Sequence, residues 1–386
     1  MREGWEIKKL GEVCEVLNGF AFDSKLFTQN SNDMPLIRIR DIMRSYSETF
    51  YSGVYSDSYI IRKGDFLIGM DGEFNIAEWK GEPSLLNQRV CKVSSANSNL
   101  NDRFLLWLLP KKLKDIESKT AFVTVKHLSS RKLLDLCIPV PPLSEQTRIV
   151  SELDLLNDII DKKRQQLKEL DALSQSIFYD MFGDPVTNEK GWECDILQNL
   201  TVKIGSGATP RGGDQSYKDS GISLIRSLNV YNNIFTDKNL VYIDDEQAGK
   251  LKNVIVNEGD ILLNITGASV ARSCIVPSEL LPARVNQHVA IIRPKLDLLE
   301  VRFLSYLITS PTYQMFLLHL SRSNGATREA LTKGQLEMLN VILPPLALQQ
   351  QFASRITAIE QQKQLIQASL SETETLLQSR MDYYFN

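Results

Sequence analysis

The sequence is written twice, so the chain must fold as two like modules rather than as one continuous design. GWEIKKL at 4–10 returns as GWECDIL at 191–197, and LIR at 36–38 returns as LIR at 224–226. KGDFLI at 63–68 meets EGDILL at 258–263, NQRV at 87–90 meets NQHV at 286–289, and RFLLWL at 103–108 meets RFLSYL at 302–307. Finally Pro141-Pro142-Leu143 meets Pro344-Pro345-Leu346. The offset creeps from 187 to 203 residues, as insertions in surface loops of the second copy would produce. One short match is chance; a collinear series across the chain is a tandem duplication.

Each copy has a mixed part and a helical part. Short β-rich runs punctuated by turn signals, such as Lys63-Gly64-Asp65 and Glu258-Gly259-Asp260 before apolar strands, read as an α/β (α+β) globular module. After each Pro-Pro-Leu the chain runs without Pro or Gly, to about Phe182 in the first copy and to Asn386 in the second. The expected domains are therefore 1–143, a helix over 144–182, a second module over 183–346 and a helix over 347–386.

Both helices carry a heptad seam in one shared register. In the first it is Ile149, Leu153, Leu156, Ile160, Lys163, Leu167, Leu170, Ser174 and Ile177; in the second, Phe352, Ile356, Ile359, Lys363, Ile366, Leu370, Thr373, Leu377 and Arg380. Leu173 and Leu376 are also assigned to this core. The helices are expected to pair with each other, with Lys163 and Lys363 fixing register at some cost in stability. The plain alternative is that each lysine snorkels at the rim. A helix of some 33 residues is about 50 Å long, too long to fold into its module's core, and reads as a spacer.

Composition then limits the chemistry. With 44 Lys+Arg against 47 Asp+Glu in 386 residues, the chain gives no global electrostatic sign of nucleic acid. Five solitary cysteines and three scattered histidines make disulfides and a zinc site poor expectations. There is no long uncharged apolar run and no signal-peptide pattern at the start, so a cytoplasmic, non-membrane protein is expected. Gly205–Pro210 lacks the glycines and Gly-Lys-Ser/Thr of a phosphate cradle. Asp71, Glu78 and Lys80 loosely imitate a metal-dependent nuclease spacing, but the second copy has Ala271 and Ser273 near the equivalent stretch. No catalytic residue and no metal ligand is assigned, and the chain reads as a recognition device without its own active site.

The ordered elements carry a resemblance. An opening Gly-Trp, a Gly-x-Thr-Pro loop (Gly207-Ala208-Thr209-Pro210), Leu-Ile-Arg, Gly-Asp-apolar-apolar, Asn-Gln-Arg/His-Val and Pro-Pro-Leu-x-x-Gln, all but the Gly-x-Thr-Pro loop present twice, resemble the specificity subunit of type I restriction-modification enzymes. The first copy departs from the pattern, with Gly19-Phe20-Ala21-Phe22 at the loop. The resemblance implies two target-recognition domains held apart by helices packed as an antiparallel coiled coil, each domain reading half of a split double-stranded DNA site. It further implies two methyltransferase subunits with adenine-N6 chemistry and restriction/translocase subunits. No cofactor belongs to this chain; S-adenosylmethionine, ATP and Mg are expected in the partners. The modules differ outside their shared frame, so the target should be asymmetric; a rod of about 50 Å at about 3.4 Å per pair sets the module centres roughly fifteen base pairs apart, with two short half-sites and an unread spacer of several base pairs between them. A stand-alone two-headed DNA-binding regulator or scaffold is the alternative.

DNA contact needs donors on loops. In the first module the candidates are Arg40, Arg44, Tyr46, Asn75, Lys119 and Lys126. In the second they are Thr209, Arg211, Asn229, Tyr231, Asn232, Thr266, Ser269, Arg322, Asn324 and Arg328. The repeated pairs Asn87-Gln88 and Asn286-Gln287, and the repeated Arg38 and Arg226, read as frame rather than base readers. Residues 1–143 hold 20 basic and 18 acidic side chains, and residues 181–343 hold 16 and 17. Binding by this chain alone should therefore be weak at physiological salt.

Overall fold

The computed structural model describes residues 4–96, 98–119, 126–210, 212–322 and 329–385, without the side chains of Lys119 and Asp214. The chain divides into two compact lobes, residues 1–163 with 369–386, and residues 164–368.

The duplication is repeated strand for strand. In the first lobe Glu6–Lys9 pairs antiparallel with Cys137–Val140, which ties the start of the module to its end. A four-stranded sheet follows in the order Cys14–Asn18, Val90–Ser95, Phe66–Gly69, Ile76–Glu78. A second sheet pairs Met34–Ile37 parallel with Ser84–Leu86. The second lobe has the same plan: Cys194–Ile196 on Asn340–Ile342, then Thr201–Ser206, Val289–Pro294, Ile261–Asn264 and Ser273–Ile275, then Ile222–Ile225 parallel with Ala283–Val285. Mixed α/β is the fold class.

The repeated motifs have local physical reasons. In the Gly-Asp turns Gly64 (φ 98°) and Gly259 (φ 78°) take the left-handed conformation that other residues avoid. The following carboxylates close those turns, Asp65 accepting from Arg62 N at 2.8 Å and Asp260 from Asn257 N at 2.7 Å. Each also anchors a cation from the neighbouring strand, Lys92 on Asp65 and Arg293 on Asp260, both at 2.7 Å. At the start of the loops that differ between copies, the glycine does the same work in both. A Cβ on Gly19 would stand 2.0 Å from Asn87 O, and one on Gly207 would stand 1.7 Å from Val285 O.

The helices run Leu143–Phe182 and Leu346–Phe385. Within the first lobe Arg148 meets Tyr384, Arg380 meets Glu152 at 2.6 Å, and Lys163 meets Ser369, so the two segments run antiparallel. Within the second lobe Asp171 meets Lys363 and Phe178 packs on Phe352, again antiparallel. Ile149, Leu153, Ile160, Phe352, Ile356, Ile359 and Leu370 are buried. Leu156, Leu167, Leu170, Ile177, Ile366 and Leu377 are half-buried. Leu173 and Leu376 correct the expectation: they are 46% and 47% exposed, because they lie one step off the seam.

Lys163 is held, not splayed. Its Nζ donates to Ser369 O at 2.9 Å, Ser369 Oγ at 2.7 Å and Thr373 Oγ1 at 2.7 Å, contacts that exist only in one register. Thr373 Oγ1 keeps a bond to Ser369 O without the lysine. Lys163→Met is expected to leave the urea midpoint unchanged or raise it, since an apolar residue of similar length avoids the desolvation of the ammonium. A clear fall in the midpoint would contradict a register device that costs stability.

Candidate nucleic-acid interface

In the second lobe three segments converge. The hairpin between Ile261–Asn264 and Ser273–Ile275 bonds back to the strand turn through Ile265 N to His288 O at 3.0 Å. It bonds onward to the segment after the helix Pro311–Arg322 through Gly267 N to Glu329 O at 3.0 Å. Between them lies an open cleft of about 580 Å³ lined by Ser227, Leu228, Tyr231, Thr266, Gly267, Ala268, Ser269, Arg272, His288, Glu329 and Ala330. Polar contacts run across it. Thr209 Oγ1 donates to Gln287 Oε1, Gln287 Nε2 lies 3.2 Å from His288 Nε2, and His288 Nδ1 lies 2.5 Å from Thr266 Oγ1. The guanidinium of Arg272 stacks over Tyr231, 4.8 Å from the ring centroid.

The first lobe builds the same junction from different side chains. Met70 N donates to Arg89 O, and Gly72 N to Lys126 O, both at 2.9 Å. Asp71 takes the place of Thr266, and Arg89 that of His288. Asp71 binds Arg89 at 2.5 Å and His127 at 2.6 Å. Glu78 is engaged elsewhere, with Arg103 at 2.8 Å, so the nuclease-like spacing does not converge. Beside the Gly19 turn, Phe20, Phe22, Val54, Tyr55, Ser56 and Tyr59 line a hollow of about 340 Å³. Two homologous junctions that differ in the side chains they present suit two different ligands of one class.

The model of the type I restriction modification DNA specificity domain matches residues 2–172 and again 195–375. The chain belongs to that family. It is 31% identical over 382 residues to the type I restriction enzyme EcoBI specificity subunit of Escherichia coli, covering 92% of this chain and 79% of that one. It is 26% identical to the putative MjaX specificity subunit of Methanocaldococcus jannaschii, covering 97% and 90%. The fold resembles the crystal structure of the type I restriction-modification S subunit from M. genitalium, with a TM-score of 0.62, 13% identity, and 99% and 96% of the two chains covered. A chain solved for the complex assembly of the type I R-M system aligns with a TM-score of 0.57 at 21% identity, over 99% and 97% of the chains. The duplication read from the sequence is thus the family's two specificity domains. Among the described residues no helix is long and apolar enough to cross a membrane.

The candidate residues of this specificity chain that the structure leaves accessible fall into four groups. Tyr231, Thr266 and Ser269 line the second-lobe cleft, and Thr209 reaches it through Gln287. Asn75 and Lys126 stand at the first-lobe junction, although Lys126 Nζ is held by Glu117 at 3.2 Å. Asn232 is exchanged in a reciprocal amide pair with Gln314, and Arg322 is held by Glu329 at 2.8 Å. Arg40 and Tyr46 are more than half exposed, Arg40 lying 3.7 Å from Asp41.

One residue is corrected, and a second is engaged at the matching turn of the other lobe. Asn229 is fully buried; its Oδ1 accepts from Arg226 N and its Nδ2 donates to Thr236 O, so it ties a turn and offers nothing to a ligand. Arg44 donates to the fully buried Asp41 through Nε at 3.0 Å and Nη2 at 2.6 Å, the first-lobe counterpart of the same turn. There a carboxylate replaces the neutral amide, and the arginine is its countercharge. Arg211, Asn324, Arg328 and the side chain of Lys119 lie outside the described residues. Arg272 was missed, although an arginine that closes an otherwise uncharged hairpin loop, Ile265 to Ala271, was a signal available in the sequence.

Proposed function

We propose that this chain reads an asymmetric, two-part double-stranded DNA target, one part per lobe, and directs partner subunits to it without catalysis of its own. The observation that carries this reading is the pair of homologous junctions with unlike linings, Asp71, Arg89 and His127 in one lobe and Thr266, His288 and Arg272 in the other. Two adenine-N6 methyltransferase subunits and restriction/translocase subunits are the partners. They supply S-adenosylmethionine, ATP and Mg chemistry in the cytoplasm. Reconstitution with type I methyltransferase subunits, followed by methylation-sensitive sequencing, should return one split motif with unlike halves. A continuous motif, or methylation without sequence preference, would overturn the proposal.

The partners also supply affinity. With net charge near zero in both modules, few phosphates can be neutralised by this chain alone. In gel-shift titrations the isolated chain should bind its target weakly at physiological salt and far more tightly once methyltransferase subunits are added. Tight, specific binding by the chain alone would count against that division of labour.

A further inference from the structure

One backbone position is shared by the two hairpins, and each lobe fills it with a different uncommitted side chain. Gly69 N donates to Asn75 O at 2.9 Å, and Asn264 N donates to Arg272 O at 2.8 Å. The next residues, Ile76 and Ser273, pair with Ile68 and Leu263, which occupy matching places in their strands. Asn75 and Arg272 are therefore structural counterparts, although the loops before them differ in length.

Arg272 is placed like a reading head. Its stack on Tyr231 restrains the guanidinium plane without using any N–H, and among the described residues no side chain or carbonyl accepts from the guanidinium; the backbone N–H of Arg272 is bonded to Ser269 O at 3.2 Å. Glu329, the carboxylate on the same cleft, is held by Arg322. The backbone at the arginine's root is fixed as well. Ala271 sits at φ 69°, a left-handed conformation unfavourable for a residue with a Cβ. It is held there by Ala271 N to Asn264 O at 2.9 Å and Gln314 Nε2 to Ala271 O at 3.0 Å. A strained turn bonded on both sides, ending in an uncommitted arginine that lines the cleft, is a preorganised donor. Asn75 in the other lobe is half-buried, with its amide likewise uncommitted among the described residues.

The two side chains suit different bases. A guanidinium fork matches O6 and N7 of guanine in the major groove, and a carboxamide matches N6 and N7 of adenine. We propose that Arg272 reads a guanine in the half-site of the second lobe and that Asn75, in the same seat, reads an adenine in the half-site of the first. This rests on the proposed function above.

The test uses the full chain, unaltered and as Arg272→Ala, Arg272→Lys and Asn75→Ala, reconstituted with methyltransferase subunits. Methylated sites are sequenced, and binding is followed over a salt series. Arg272→Ala should relax one G·C position in one half-site, with discrimination there falling roughly 5- to 150-fold, while the other half-site is unchanged. Arg272→Lys keeps the charge but not the fork, and should lose the guanine preference while keeping the salt dependence. Asn75→Ala should relax one A·T position in the opposite half. Uniform weakening over all sequences, with a salt slope shallower by about one, would make Arg272 a phosphate contact and overturn the assignment. An unaltered motif in Arg272→Ala overturns it too. If the unaltered chain yields no split motif, the proposed function falls with it, so the two failures are distinguishable.

Discussion

Gln146→Leu is expected to lower the urea midpoint of the first lobe more than any surface change. Gln146 is fully buried and uses its whole amide: Oε1 accepts from Asn101 N at 2.8 Å, and Nε2 donates to Asn99 O at 2.9 Å and Pro141 O at 2.8 Å. Leucine fills the space, bonds none of the three and keeps water out. At about 1–3 kcal/mol for each buried group left unpaired, the loss amounts to several kcal/mol, a large share of the roughly 5–15 kcal/mol that holds a typical protein. Circular dichroism in urea would measure it, and hydrogen exchange should localise the loss to residues 99–101 and the start of the helix. An unshifted midpoint would refute it. Gln349 makes the equivalent bonds in the second lobe, to Glu300 N, Leu298 O and Pro344 O, so the glutamine of Pro-Pro-Leu-x-x-Gln is a weld between helix and module.

Phe352→Ala should cost about 3–5 kcal/mol, the usual result of emptying a well-packed aromatic site. Phe352 is fully buried, with ring centroids 5.7 Å from Phe178, 5.4 Å from Phe182 and 5.4 Å from Tyr306. It thus joins both helices to the second module. Trp192 is a local probe, because its Nε1 donates to Phe182 O at 2.9 Å. A loss below about 1 kcal/mol would mean that the cluster collapses onto the cavity. The same seam position in the first lobe is Ile149, where Tyr384 and Phe385 supply the aromatic surface instead.

The seam was legible because heptad spacing is a local property. A residue three or four steps from the last apolar one faces the same way whatever the rest of the chain does. Lys163 was legible as an interruption of that pattern, but its three acceptors on a segment some two hundred residues away were not. The repeated motifs were equally legible as a frame: Gly-Asp closes turns, Asn87 and Asn286 accept backbone N–H groups inside their own turns, and Pro-Pro-Leu-x-x-Gln welds the helices. Side chains expected on the surface fared differently. Asn229 follows a strand in a polar run and looks exposed, yet the turn needs an acceptor pointing inward, and the amide faces the backbone.

By itself the sequence determined the duplication, the two helices with their shared register, and the family. Each is encoded in order and period, which survive without knowledge of distance. Which side chains meet in each lobe was decided only by the tertiary structure. The loops before Asn75 and Arg272 differ in length, so the offset of the preceding strands carries Asn75 onto Val270 rather than Arg272. Strand hydrogen bonds, which count register from the paired backbone rather than along the chain, put them in one seat.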